Sequence, residues 1–221
     1  MRKWIVLTAV FLCLAIAGPA QALQISMTNS DNDPQYWGVL NVSLDNNSMS
    51  VGAGRFYTTI HDGEKEIDTF SYCVQLDKYF SWFPSKYDVD VSQPTDRYLS
   101  AAWLVDQYDP LTGKLYQDQS ITDSKAKNIA MTLQLAIWDT LYGKNFLIDS
   151  NPDLFPNEAG LLQDMRDSLQ NIGSFDGSGF FVAEIDGQDQ LVAAPVPEPA
   201  TMLLMGIGLL GLGVVGRKRI K

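Results

Sequence analysis

The sequence predicts an α+β protein: an antiparallel β-sandwich or barrel-like domain with a helical insertion, plus an N-terminal signal peptide and a C-terminal transmembrane helix. Two observations predict the domain. Strand-like segments with turn residues between them occur at the beginning and at the end of the domain. Between them, from about residue 95 to about residue 170, apolar side chains recur at helical spacing. A third observation, an uncharged apolar run near each end of the 221-residue chain, predicts the flanking segments.

The N-terminus has the three parts of a secretory signal peptide. Arg2 and Lys3 give a charged start, and an apolar run covers residues 5–17. Residues 20–22 read Ala-Gln-Ala, which is a small-x-small cleavage site. We therefore expect residues 1–22 to be removed on export, with a retained membrane anchor as the alternative.

The C-terminal segment 200–216 carries no charge over 17 residues, which is the lower limit for a membrane-spanning helix. Arg217, Lys218 and Arg219 follow it, and basic clusters of this kind stay on the cytoplasmic side. We expect a transmembrane helix that anchors the protein before processing and leaves its body outside the membrane.

The order of motifs at the C-terminal end supports a second interpretation. Pro197-Glu198-Pro199, the apolar segment and the basic cluster, in that order, resemble the PEP-CTERM sorting signal of Gram-negative bacteria. The resemblance implies that residues 195–221 are processed by an exosortase-type membrane protease. It also implies delivery to the cell surface or to the extracellular exopolysaccharide matrix. An ordinary tail anchor is the alternative.

Residues 23–194 remain for folding, a length that suits one domain. All 26 acidic residues but only 10 of the 16 basic residues lie between residues 23 and 199, so this part has a formal charge of −16. A charge of this sign repels nucleic acid, and we expect no nucleic-acid partner.

The first part of the domain alternates like β-strands. YWGVLNVSL (36–44) and VGAGRFYTTI (51–60) are rich in β-formers, and HDGE (61–64) is a turn with glycine at a left-handed position. EIDTFSYCVQL (66–76) then alternates between two faces. A later hairpin is predicted to turn at Asp186-Gly187.

Cys73 is the one cysteine outside the signal peptide, and exported proteins usually carry cysteines in pairs. Phe70 and Tyr72 lie on one face of its strand, whereas Ser71 and Cys73 lie on the other, more polar face. A cysteine that only filled the core belongs on the apolar face. We therefore expect Cys73 to meet a specific partner.

Three helices are expected in the insertion. The first covers Thr95 to Tyr108, and the second begins at a capping Ser124 and ends at Gly143. The third covers Asn157 to Gln170. Gln134 lies on the apolar side of the second helix, so its amide is expected to be buried and to need hydrogen-bond partners. Nearby backbone groups are the simplest partners for it.

Two segments, FSYCVQL (70–76) and TLQLAIWD (132–139), resemble the paired motifs of the bacterial thioester domain family, which are surface adhesion modules. Leu133 precedes Gln134 where the family has threonine, and Ala-Ile-Trp completes the motif. The resemblance implies that residues 23–194 form a thioester-type adhesion domain. It also implies a covalent bond between the Cys73 sulfur and the side-chain carbonyl carbon of Gln134.

A thioester needs no metal or cofactor, and it stores an acyl group that an amine on a matrix or partner surface can capture once. Because water competes for the same carbonyl, Tyr72, Trp138 and Tyr142 are the residues expected to shield it. A single reaction without turnover is not an enzyme. The alternatives are a non-covalent structural or glycan-binding matrix protein with Cys73 as a free thiol, and a secreted hydrolase.

Overall fold

The computed structural model describes residues 25–30, 36–78, 87–149, 158–185 and 187–194. Several predictions fall outside the described residues. They concern the signal peptide (1–22), the turn residue Asp186, the apolar segment 200–216 and the sorting residues Pro197, Glu198, Pro199, Arg217, Lys218 and Arg219. Within the described ranges, no helix is long and apolar enough to cross a membrane.

Eight antiparallel strands in the described part of the chain form one sheet, and six of them close into a ring. The ring runs β1-β5-β7-β8-β4-β3 and closes because β3 also pairs with β1, while β2 and β6 extend the sheet beyond β3. The strands are β1 (Ile25–Ser30), β2 (Tyr36–Leu44), β3 (Asn47–Asp62), β4 (Lys65–Cys73), β5 (Tyr87–Ser92), β6 (Phe146–Ile148), β7 (Phe180–Glu184) and β8 (Gln190–Ala193). The predicted antiparallel β domain is confirmed, and it has a barrel.

In the described ranges, three α-helices lie between β5 and β7, as the apolar spacing predicted. They are α1 (Arg97–Tyr108), α2 (Asp123–Tyr142) and α3 (Glu158–Ser168). The cap of α2 differs from the prediction. Thr122 rather than Ser124 is the N-cap, because its backbone is extended and its side chain accepts a hydrogen bond from the Lys125 N–H. Gly143 ends the helix as expected, with a φ of 56°.

Strand β3 changes partners halfway along its length. Its first part, up to Arg55, pairs with β2. Its second part pairs with β4 from Phe56 onward and, along the other edge, with β1 from Tyr57 onward. Gly54 lies at this change with a φ of +138°. A Cβ at Gly54 would lie against the Tyr36 carbonyl oxygen and 2.7 Å from the Trp37 Cα. Only glycine fits both the backbone angle and this close approach of β2.

Four clusters of buried side chains make up the core of the described part of the chain, and the smallest packs Tyr36 of β2 against Ala126 and Ala130 of α2. The first joins the outer face of β4, β7 and β8 to all three helices. The second packs β2 and the first part of β3 against α2, and it includes Cys73 and Trp138. The third comes from β3, β5, β7, β8 and the loop after β7, and it fills the ring. Helix α2 contributes to the first two clusters, so it holds the barrel and the β2–β3 extension together.

We expect Gly54→Ala to destabilise the protein by at least about 2 kcal/mol, because the change adds both backbone strain and a collision with β2. Gly63 is a matched control: its φ is +61° in the β3–β4 turn, and nothing lies within 4 Å of an added Cβ. Gly63→Ala therefore adds strain alone, about 1 kcal/mol. Urea unfolding measures both, and equal losses would contradict the special role of Gly54.

Candidate functional site

The site lies at the end of β4, where that strand is no longer paired with β3. Pairing between β3 and β4 stops at Phe56 opposite Ser71, whereas β8 stays paired with β4 up to Cys73. The Val74 N–H continues toward β8 and donates to the Asp189 carbonyl oxygen at 3.0 Å. Backbone groups alternate in direction along an antiparallel strand. The N–H and C=O of Cys73 therefore point to the edge that β3 has left.

Gln134 on α2 occupies this open edge. Its Oε1 accepts a hydrogen bond from the Cys73 N–H at 3.0 Å, and its Nε2 donates to the Cys73 carbonyl oxygen at 2.8 Å. The carboxamide thus pairs with Cys73 as a neighbouring strand would. Gln134 is fully buried, as expected, and its amide has backbone partners. The two residues singled out in the sequence are in direct contact across 61 positions.

The Cys73 thiol faces two further glutamines. Its Sγ donates to the Gln188 Oε1 at 3.0 Å and accepts a hydrogen bond from the Gln190 Nε2 at 3.2 Å. Burial raises the pKa of the thiol from 9.0 to about 12, and the hydrogen bond from Gln190 acts in the opposite direction. Cys73 is a free cysteine in this structure, and three carboxamides contact it.

A buried chain of hydroxyl and amide groups leads away from the sulfur into the barrel. The Ser71 hydroxyl donates to the Gln190 Oε1 at 3.1 Å and lies 2.8 Å from the Thr58 hydroxyl. These residues and Gln190 are all at most 1% exposed. The more polar face of β4 is therefore the inside of the barrel, and Cys73 lies in a core. The expectation that this face differs from a core was wrong, because residues 70–73 are buried on both faces of the strand.

The opposite face of β4 holds a buried ion pair. The Tyr72 hydroxyl donates to the Asp109 Oδ2 at 2.9 Å, and the Arg55 Nε donates to the same oxygen at 3.0 Å. Burial, and after it the Asp109 carboxylate, raises the pKa of Tyr72 well above its ordinary value. Asp109 follows the last residue of α1, so this contact joins the insertion to β3 and β4 directly behind Cys73.

Trp138 and Tyr142 lie one and two turns after Gln134 on α2. Trp138 is fully buried in the same cluster as Cys73, and its ring makes an edge-type contact with the ring of Phe146. The Tyr142 hydroxyl accepts a hydrogen bond from the Leu76 N–H at 2.8 Å, which fixes the chain just after β4. Both side chains therefore lie around the site that they were expected to shield.

Sequence reasoning missed Gln188, Gln190 and the Arg55–Asp109 pair. The two glutamines are two positions apart near the last strand, a spacing that places them on one side of a strand, but no local signal connects them with Cys73. Among the described residues, no group of three or more His, Cys, Asp or Glu side chains could hold a metal ion.

The C-terminal segment is similar to a known family of sorting signals. Residues 195–219 match the PEP-CTERM protein-sorting motif. The match contains Pro197-Glu198-Pro199 and the basic residues up to Arg219, so the sorting signal predicted from the sequence is confirmed. The motif implies processing by an exosortase-type system.

Two solved domains are similar to most of the chain at low sequence identity. No curated protein matches it. The N-terminal domain of the Streptococcus pyogenes pilus tip adhesin Cpa is similar at 15% identity and a TM-score of 0.45, over 81% of this chain and 97% of that chain. The N-terminal thioester domain of the fibronectin-binding protein SfbI from Streptococcus pyogenes is similar at 14% identity and a TM-score of 0.41, over the same shares.

We expect Asp109→Asn to destabilise the protein by roughly 3–5 kcal/mol, because it leaves the buried Arg55 charge unpaired. The exposed pair Asp139–Arg166, with an N–O distance of 2.8 Å and side chains that are 24% and 40% exposed, provides the control. Asp139→Asn should change stability by less than about 1 kcal/mol. Urea unfolding distinguishes the two, and a small loss for Asp109→Asn would refute the role of the buried pair.

Proposed function

We propose that the protein is a surface-displayed adhesion protein in which Cys73 and Gln134 form an internal thioester that captures an amine on a matrix or partner surface. One observation carries the proposal: the Gln134 carboxamide is held by two hydrogen bonds against the backbone of Cys73, within a buried site. The resemblance of the two surrounding motifs to the thioester domain family supports it.

The chemistry balances without a cofactor. The Cys73 sulfur attacks the side-chain carbonyl carbon of Gln134, a carbon–sulfur bond forms, and the carbon–nitrogen bond breaks. The departing amide nitrogen takes the thiol proton and leaves as ammonia. In the second step an amine attacks the same carbon, an amide bond forms, and the sulfur regains a proton. The product is an isopeptide link from Gln134 to the partner.

The backbone of Cys73 is suited to assist both steps. Negative charge develops on the Gln134 Oε1 when the carbon is attacked, and the Cys73 N–H already donates to that oxygen at 3.0 Å. A fixed donor in a water-poor site stabilises such an oxyanion strongly. The Cys73 carbonyl oxygen holds the Nε2 atom that departs as ammonia. The two hydrogen bonds thus orient the reacting carboxamide.

Shelter from water is a requirement of the proposal, since water would hydrolyse the thioester. Cys73 is 3% exposed, and Gln134 is fully buried. Gln188 is 8% exposed and is thus the most accessible of the groups in contact with the sulfur. We infer that an incoming amine approaches past Gln188.

Export and display complete the proposal. The signal peptide (1–22) directs the chain out of the cytoplasm, and segment 200–216 holds it in the membrane until an exosortase-type protease acts on the PEP-CTERM motif. The strongly acidic body is soluble outside the cell. The alternative is a matrix protein that binds without a covalent bond, with Cys73 as the buried thiol seen here.

The purified full chain should have a mass lower by one ammonia, and methylamine should add to Gln134 and release one titratable thiol at Cys73. Reaction should be faster at alkaline pH, because only the unprotonated amine attacks. Mass spectrometry of the modified peptide identifies which glutamine has reacted. Gln188→Ala is the matched control, since Gln188 also touches the sulfur: this variant should keep the ammonia-deficient mass, whereas Gln134→Ala should lose it. A protein that retains its ammonia in the measured mass and whose Gln134 stays unmodified would contradict the proposal.

Cys73→Ala distinguishes the thioester from the free thiol by its effect on stability. The substitution keeps both hydrogen bonds of Gln134, because they go to the backbone of residue 73. With a thioester it removes a cross-link over 61 positions, worth roughly 4 kcal/mol if it acts like a disulfide. The double change with Gln134→Ala should then lose much less than the sum of the single losses. A loss of about 1 kcal/mol for Cys73→Ala in urea unfolding would favour the free thiol.

Removal of residues 195–221 should abolish retention of the protein at the cell surface, because it deletes the whole sorting motif. Fractionation of cells and medium measures the distribution. Replacing Arg217, Lys218 and Arg219 alone tests the basic cluster and should also impair sorting. Unchanged surface amounts of the truncated protein would refute sorting through this motif.

A further inference from the structure

Two glutamines touch the Cys73 sulfur, and they do so in opposite senses. Gln188 accepts a hydrogen bond from the thiol, so it favours the protonated sulfur. Gln190 donates a hydrogen bond to the sulfur, and it can keep donating when the proton has left. Within the described residues, the Gln190 N–H is the one donor to this sulfur. The two neighbours therefore bias the sulfur toward different charge states.

The orientation of the Gln190 carboxamide is set by its surroundings. Its Oε1 accepts the hydrogen bond from the Ser71 hydroxyl at 3.1 Å, which directs its Nε2 to the sulfur at 3.2 Å. Its backbone lies opposite Cys73 in the β4–β8 pair. Both residues are thus held in one rigid ladder of the barrel, and Gln190 is fully buried. The N–H is fixed in place before any reaction.

We propose that Gln190 stabilises the Cys73 thiolate, both as the nucleophile that forms the thioester and as the leaving group when an amine captures the acyl group. This proposal rests on the thioester proposed above. Gln190 makes and breaks no bond itself. In formation the thiol proton ends on ammonia, and in capture the proton lost by the amine ends on the sulfur. Gln190 donates its hydrogen bond to the sulfur while that atom carries negative charge.

The need for such a donor follows from the burial of the site. A buried thiolate has lost the water molecules that would solvate it, and no described Lys, Arg or His side chain hydrogen-bonds to this sulfur. A hydrogen bond to a charged group is about twice as strong as one between neutral groups. The Gln190 N–H therefore supplies the solvation that water would give to an exposed thiolate.

The test compares Gln190→Met with Gln188→Met in the full chain, with methylamine as the probe. Methionine has the length of glutamine but donates no such hydrogen bond. We expect Gln190→Met to slow methylamine capture about tenfold or more, as the loss of a hydrogen bond to a charged atom implies, and to slow recovery of the ammonia-deficient mass after synthesis. Gln188→Met should capture methylamine at least as fast as the unmodified sequence.

The direction of the change separates this role from a structural one. A substitution that only loosened the packing would open the site and speed both hydrolysis and capture, whereas loss of the donor slows capture. Urea unfolding identifies the folded fraction to which each rate is normalised. Capture by folded Gln190→Met at or above the rate of the unmodified sequence would overturn the proposal.

Ser71→Ala provides a second, milder variant in case Gln190→Met does not fold. It removes the group that orients Gln190 but leaves the sulfur contacts in place, and we expect a smaller slowing in the same direction. An unchanged rate would count against Gln190. If the unmodified chain itself retains its ammonia, the thioester proposal fails; if that chain forms the thioester and these variants react at its rate, only the role of Gln190 fails.

Discussion

The hydrogen bonds between the Gln134 side-chain amide and the backbone of Cys73 connect the helical insertion to the barrel. Gln134 binds both the N–H and the carbonyl oxygen of Cys73, at the edge of β4 where pairing with β3 has ended. These groups are buried and would each cost about 1–3 kcal/mol if left unpaired. The helical insertion must therefore dock on the barrel in one register, and that register places a carboxamide beside a cysteine.

The surroundings of this pair are unusually polar for a core. Gln188 and Gln190 contact the sulfur, and Ser71 contacts Gln190. The Arg55–Asp109 ion pair lies on the other face of the same strand, where the Tyr72 hydroxyl donates to Asp109. Most of these buried polar groups are hydrogen-bonded to one another, and a hydrogen-bonded network favours one arrangement. The exception among them is the Arg55 Nη1, which has no hydrogen-bond partner. The polar groups thus fix the geometry of Cys73, while the apolar clusters on both sides keep water away.

The elements with a local pattern were predictable. The helix at Arg97–Tyr108 and the buried side of α2 follow from apolar spacing, and Gly63 and Gly143 were recognised as turn and end residues. The Ser124 cap was wrong by two positions because Thr122 also fits the rule and has the extended backbone that a cap needs. The environment of Cys73 was misjudged because alternation separates two faces but does not say which face meets water.

By itself, the sequence predicted strands β2, β3, β4, β7 and β8, the three helices between β4 and β7, the C-terminal sorting motif and the pair Cys73 and Gln134. It did not predict β1, β5 or β6. The predicted features depend on neighbours within a few positions. Only the tertiary structure decided that β3 leaves β4 at Ser71 and that Gln188 and Gln190 face the sulfur across 115 and 117 positions. Closure of the barrel sets those contacts, because each strand's free edge depends on where its distant partners stop pairing.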